Sequence, residues 1–273
     1  MTLLQNKTAL IVGIANERSY AFHIAKSLAE HGCRCAFTHL PGEKNERRTR
    51  RSLDGLGLPG GADKAWLTPM DASSDTDIDA AFARFAEAHE RLDTLVHSIA
   101  FADREWLQPG KFIETPRESY KSAVDISAYT LLAMAKRAKP LMERVGAGGG
   151  GAPTGGSIMA MSYYGGEKVV PGYNVMGVAK AALETTARYL AWELGPSNIR
   201  VNIISGGYLR TLASSAVGGA EAMIEQASLK APLRRSVEGT DVGKTAVYLA
   251  SDLSSGVTGE TIYVDCGVST LGV

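Results

Sequence analysis

The chain has 273 residues, 45% of them apolar and 21% charged, which is enough apolar material to bury a central sheet under helices and excludes global disorder. Lysine plus arginine and aspartate plus glutamate both number 29, so there is no overall positive field for nucleic acid or an anionic membrane, and any phosphate must be bound locally. Three cysteines, Cys33, Cys35 and Cys266, have no metal-like spacing and read as buried thiols rather than a disulfide framework or zinc site. The start, MTLLQNKTALIVG, has no long apolar core before a small-residue cleavage site, and no stretch approaches the ~20 apolar residues of a membrane span, so cytoplasm is the expected compartment.

In chain order, Thr8 to Val12 is a short apolar run ending at Gly13, Ala21 to His31 has helical spacing, and Cys33 to Thr38 turns apolar again. This is a β-α-β unit. The basic run Lys44 to Arg51 reads as a solvated loop or helix start, with a cofactor-phosphate role as the alternative. Ala65 to Met70 is the next strand, Ile78 to His89 a helix, and Thr94 to Ser98 a further strand. Arg117 to Val145 reads as one long helix, followed by a glycine-rich surface connection at 146–156. Ser157 to Met161, a helix through Ala191, the run RVNII and a last strand at Glu260 to Val264 continue the alternation. The expectation is a Rossmann-like, doubly wound parallel sheet in three α/β/α layers, forming a single domain over residues 1–273.

The turn after the first strand, Gly13 to Ala21, occupies the position where open α/β sheets bind a pyrophosphate. Gly13 has no side chain to obstruct phosphates, and Ser19 near the helix start adds a hydroxyl to the first-turn N–H groups. The segment does not match G-x-G-x-x-G, so a plain strand-turn-helix corner stays open. Asp71 follows the third strand, where it can accept from an adenine amino group, and Ser98-Ile99-Ala100 follows the fourth. The second strand ends Phe37-Thr38-His39-Leu40-Pro41, without the ribose-reading acid of NAD sites. Glu43 lies just beyond, and Lys44, Arg47 and Arg48 are available to a 2′-phosphate; NADH is favoured, with NADPH as the alternative.

Tyr173 and Lys180 lie seven residues apart at the start of a long helix. At ~100° per residue this nearly completes two turns, so they share one face about 10 Å apart along the axis and can flank one ligand.

The chain resembles the short-chain dehydrogenase/reductase superfamily, and specifically the bacterial and plastid enoyl-acyl-carrier-protein reductases. The resemblance spans essentially the whole chain and rests on GIANERSYA at the first turn, LVHSIAFA after the fourth strand, DISAYTLLAMAK in the long helix, YNVMGVAKAALE at the paired tyrosine and lysine, and RVNIISGGYLRTLA after them. It implies reduction of the C2=C3 bond of a trans-2-enoyl thioester by NAD(P)H, with acyl carrier protein as the carrier, in the last reductive step of fatty-acid elongation. Carbonyl-reducing members space the two residues four apart. An enoyl thioester takes hydride two carbons from its oxygen-bearing carbon, so an oxygen-binding tyrosine must stand further from the nicotinamide, which suits the wider spacing.

By the same resemblance, the catalytic residues are Tyr173, holding the thioester oxygen and stabilising the enolate, Lys180, holding the nicotinamide ribose, and Tyr163, which faces the substrate or is a packed aromatic. Cofactor contacts fall to Gly13, Ala15, Ser19, Tyr20, His39, Asp71, Ala72, Ser98, Ile99, Ala100, Lys180, Leu209, Thr211 and Ala213. Substrate contacts fall to Ala102, Tyr163, Tyr173, Met176, Tyr208 and Val217, under a lid at about 208–229. His23 and His97 are expected on a helix surface and at a strand end, not in acid-base roles, and Tyr164 in packing. The chain departs from the family pattern at Tyr208, where proline is usual, at Phe22-His23, at Cys266 and in the longer glycine-rich segment. A homotetramer is expected from the resemblance and from apolar residues on more than one face of the two long helices. A carbonyl reductase, a specialised-pathway enoyl reductase and a non-catalytic nucleotide sensor are the rival readings.

Overall fold

Strand β1 (Thr8–Val12) is buried along its whole length, as a β-branched and apolar run must be when helices cover both faces of a sheet. It pairs in parallel with β2 (Arg34–His39) on one side and β4 (Thr94–His97) on the other. With β3 (Leu67–Pro69), β5 (Gly156–Ser162), β6 (Ile199–Gly206) and β7 (Thr261–Val264) the sheet runs β3-β2-β1-β4-β5-β6-β7. The strand order reverses between β1 and β4, which opens a crevice at their carboxyl ends. The computed structural model describes residues 2–144, 155–209 and 228–272.

Alternate residues of each strand divide the core. Leu10, Val12, Leu95, Ile158, Val201 and Ile203 pack with α3 (Asp75–Ala88), α5 (Thr130–Met142) and α6 (Asn174–Leu194). Ala9, Ile11, Val96, Met159 and Ile204 pack with α1 (Tyr20–Glu30) and with α7 (Gly239–Ala250) on the other face. These are the expected three layers. A Cβ on Gly239 would lie 2.0 Å from the His23 ring and one on Gly243 2.2 Å from Ser27 Oγ, so both glycines let α7 lie directly on α1. His23 is therefore wedged between helices and not, as expected, on a free helix surface.

Several boundaries move for physical reasons. The helix expected over 117–145 runs without interruption to Met142, as α4 (Arg117–Val124), a π turn at Asp125–Tyr129, and α5. The π turn is bonded from outside the helix: Ser127 Oγ accepts from the Phe101 N–H at 3.0 Å and donates to the Phe101 carbonyl at 3.2 Å. Helix α3 starts at Asp75, before the expected Ile78, because Ser74 caps it by accepting from the Asp77 N–H. The basic run forms part of α2 (Glu43–Leu53), with Arg50 paired to Glu46 at 2.9 Å. Gly156 begins β5 instead of closing the glycine-rich segment, of which 146–154 lies outside the described residues. Cys33 and Cys266 are buried and Cys35 half-buried, all as free thiols. No helix among the described residues is long and apolar enough to cross a membrane.

Candidate active site

At the nucleotide end, Gly13 has φ +101°, and a Cβ there would fall 2.2 Å from the Ser98 carbonyl oxygen. Both facts restrict the position to glycine, which allows the β1–α1 turn to touch the end of β4. Ser98 donates its N–H to the Val12 carbonyl at 3.0 Å, Ile99 is half-buried, and Ala15 and Ala100 are exposed at the crevice. Ser19 caps α1: its hydroxyl donates to the Asn16 carbonyl at 2.7 Å and accepts from the Phe22 N–H at 3.4 Å. Tyr20 lays its ring over Gly206 and donates its hydroxyl to the Gly207 carbonyl, so the start of α1 is fastened to the end of β6. Burial pushes its phenol pKa up.

His39 is buried, with Nδ1 2.8 Å from the Leu40 carbonyl. Asp71 and Ala72 are half-buried just past β3, and Asp71 Oδ1 accepts from the N–H and hydroxyl of Ser73 at 2.9 and 2.7 Å. The first carboxylate oxygen thus holds its own turn, and the second carries the acceptor capacity expected there.

At the other end, Tyr173 stands at the N-cap of α6 and Lys180 lies two turns in. Lys180 is only 5% exposed and donates from Nζ to the Met161 carbonyl at 2.8 Å. Burial lowers its pKa to about 8, a fall that the nearby Glu184 charge opposes. The Tyr173 ring meets Tyr163 edge-on at 4.9 Å, and Tyr163 meets Tyr208 edge-on at 5.9 Å. Burial, followed by the neighbouring phenols, raises the pKa of Tyr173, so it stays protonated through the neutral range. Ala102 and Tyr173 pack against a small apolar cluster of Leu107, Ala123, Val175, Met176 and Ala179.

Thus Tyr163, Tyr173 and Tyr208 come together, with Met176 and Ala102 in the adjoining cluster. Leu209 is half-buried just beyond Tyr208, while Thr211, Ala213, Val217 and most of the expected lid lie outside the described residues. Tyr164 packs edge-on against Tyr263 at 6.5 Å.

Four further positions shape the site. A Cβ on Gly165 would lie 2.4 Å from the Tyr173 ring, and one on Gly177 2.6 Å from the Gly165 carbonyl oxygen, so this glycine pair seats the turn after β5 on α6. Glu184, buried one turn beyond Lys180, accepts from Ser162 Oγ at 2.5 Å, and burial raises its pKa. Asn174, beside Tyr173, has φ +45°. The Lys180/Glu184 spacing of one helical turn was the available signal for Glu184; the glycine contacts are tertiary and left none.

His97, expected at a strand end, is fully buried at the end of β4. Thr130 gives its one hydroxyl proton to the Ile126 carbonyl at 2.7 Å, so it accepts from His97 Nε2, also at 2.7 Å. That assigns the neutral Nε2–H tautomer. Burial, then the Lys180 charge, lowers the His97 pKa to about 3, which removes it from acid-base work near neutrality.

The donor set fits a nicotinamide dinucleotide. The crevice offers a side-chain-free turn at Gly13, the N-terminus of α1, and a buried ammonium with one of its three donors spent on Met161.

The family described as enoyl-(acyl carrier protein) reductase matches residues 13–269. The chain is 46% identical over 272 residues to the enoyl-[acyl-carrier-protein] reductase [NADH] of Synechocystis sp., covering 99% of each protein. It is 46% identical over 267 residues to the corresponding [NADPH] enzyme of Staphylococcus aureus, covering 98% of each. The crystal structure of the Bacillus cereus enoyl-acyl carrier protein reductase with NADP+ and indole naphthyridinone superposes with a TM-score of 0.91 at 42% identity, covering all of both chains. This chain belongs to the enoyl-acyl-carrier-protein reductase family.

Proposed function

We propose that the chain reduces the C2=C3 bond of trans-2-enoyl thioesters carried by acyl carrier protein, with Tyr173 as the group that holds the thioester oxygen. The bound dihydronicotinamide supplies the hydride. The observation that carries the reading is the Tyr173–Tyr163–Tyr208 ring cluster at the start of the helix that buries Lys180. A protonated Tyr173 phenol donates to the oxygen as enolate charge develops, the transition-state electrostatics of an oxyanion site. Lys180, charged below about pH 8, holds the nicotinamide ribose and favours the same negative charge. Tyr163, packed edge-on against the Tyr173 ring, is the second tyrosine facing the substrate. Met176, Ala102 and Tyr208 line the apolar end, and the family resemblance assigns Thr211 and Ala213 to the cofactor and Val217 to the acyl chain. Gly13, Ala15, Ser19, Tyr20, His39, Asp71, Ala72, Ser98, Ile99, Ala100 and Leu209 hold the rest of the cofactor. The whole chain works as one cofactor-binding domain.

NADH is the preferred cofactor. Glu43 and Glu46 occupy the first turn of α2 just past β2, and Arg47 and Arg50 are paired to them, so a 2′-phosphate would meet carboxylates there. The enzyme works in the cytoplasm as a homotetramer. Support for assembly comes from Leu132 on α5 and Tyr189 and Trp192 on α6, large apolar side chains left exposed, Trp192 at 84%. Both cofactors assayed against enoyl thioesters of rising length test the reading. Faster NADH than NADPH oxidation, dependent on the enoyl thioester, is expected; cofactor oxidation unchanged by any enoyl thioester overturns it, and light scattering at the monomer mass overturns the assembly.

A further inference from the structure

Asn174 opens α6 directly after Tyr173, yet its backbone is left-handed at φ +45°, a region asparagine tolerates better than most residues with a Cβ. Its side-chain amide is spent on one distant segment. Nδ2 donates to the Trp106 carbonyl at 2.6 Å and to the Gln108 carbonyl at 2.8 Å. Between those two residues Leu107 is buried against Val175, Met176 and Ala179 of α6. The loop leaving β4 is thus fastened to the first two turns of α6 by an apolar plug flanked by a two-pronged clamp. The near end of the same loop is tied by Phe101 to Ser127 in the π turn, and Ala102 packs against the same apolar cluster as Tyr173.

We infer that Asn174 is a positioning residue for substrate reduction: its amide clamp fixes loop 102–108 as one wall of the acyl slot and holds Tyr173 at a set depth beside it. The inference rests on Tyr173 being the group that holds the thioester oxygen. The clamp needs two N–H donors from a residue at ease in the left-handed region. Aspartate would point acceptors at two carbonyls, and glycine would keep the backbone while losing both bonds.

The test compares Asn174→Gly and Asn174→Asp with the wild-type chain. Each is also placed in a W66F/W192F background, which leaves Trp106 as the only one of three tryptophans. Both variants should raise the KM for an enoyl thioester about tenfold or more, with a smaller fall in kcat and NADH affinity within about twofold of wild type. Trp106 should become more accessible to acrylamide quenching. Wild-type kinetics with unchanged quenching in both variants, or NADH affinity falling in step with kcat/KM, overturns the inference. Asn174→Gly, which relaxes the backbone, carries the test should Asn174→Asp fail to fold. A wild-type chain without enoyl reduction defeats the reading of Tyr173 instead, and the quenching measurement still decides whether the clamp exists.

Discussion

Replacing Lys180 with methionine keeps most of the stem and removes the buried ammonium. The fall from 10.5 in the unfolded chain to about 8 in the fold means that the folded state holds this proton less tightly, a penalty of about 3 kcal/mol below pH 8. Because the folded pKa lies below the unfolded one, the unfolded chain binds more protons between about pH 8 and 10.5, and wild-type stability from this group rises across that window. K180M has no such group. The lost bond to the Met161 carbonyl costs about 1 kcal/mol or more at every pH, so it leaves the pH slope untouched. Thermal unfolding of both proteins at pH 7 and pH 10 should therefore show wild type gaining about 2.5 kcal/mol on the variant, about 4 °C in Tm. The variant should also lose reductase activity. A stability gap that is the same at both pH values refutes the electrostatic reasoning, whatever happens to activity.

Tyr173→Phe should lower kcat by about 10²- to 10³-fold while calorimetry finds NADH affinity unchanged, the loss expected for one oxyanion donor. Gly165→Ala places a Cβ 2.4 Å from the Tyr173 ring, so steady-state assays should find kcat down by at least about tenfold with the cofactor KM little altered. Thr130→Val strips the acceptor from buried His97 and should lower stability by about 1–3 kcal/mol in chemical denaturation. Since His97 has its pKa lowered to about 3 by burial, the unfolded chain takes up that proton first, and wild-type stability should fall as pH drops from about 6.5 towards 3.

The alternation of strands and helices was legible because it lives in local periodicity: β1, α1 and β2 lie within a few residues of their expected spans, as do β4 and α6. Tyr173 and Lys180 were legible because one helix fixes their separation. The π turn inside the long helix was not, since apolar spacing runs unbroken from Arg117 to Val145 and the turn is bonded through Ser127 to Phe101, 26 residues away. The partnership of Ser162 with Glu184, and the clamp from Asn174 to a loop 66 to 68 residues earlier, likewise exist only once β5, α6 and the loop after β4 are packed. His97 was readable as inert but not as the hydrogen-bonded partner of Thr130. Its tautomer depends on where the Thr130 hydroxyl at the start of α5 sends its proton.

On the proposed reading, hydride reaches C3, two carbons from the oxygen-bearing carbon, while Tyr173 holds the thioester oxygen. Turnover of a trans-2-enoyl thioester with NADH deuterated at both C4 positions, followed by mass spectrometry of the product, tests it most directly. One deuterium at C3 of a saturated thioester is expected, at a rate that falls steeply in Tyr173→Phe. Deuterium on the carbonyl carbon, or label at C3 at an undiminished rate in Tyr173→Phe, would contradict it.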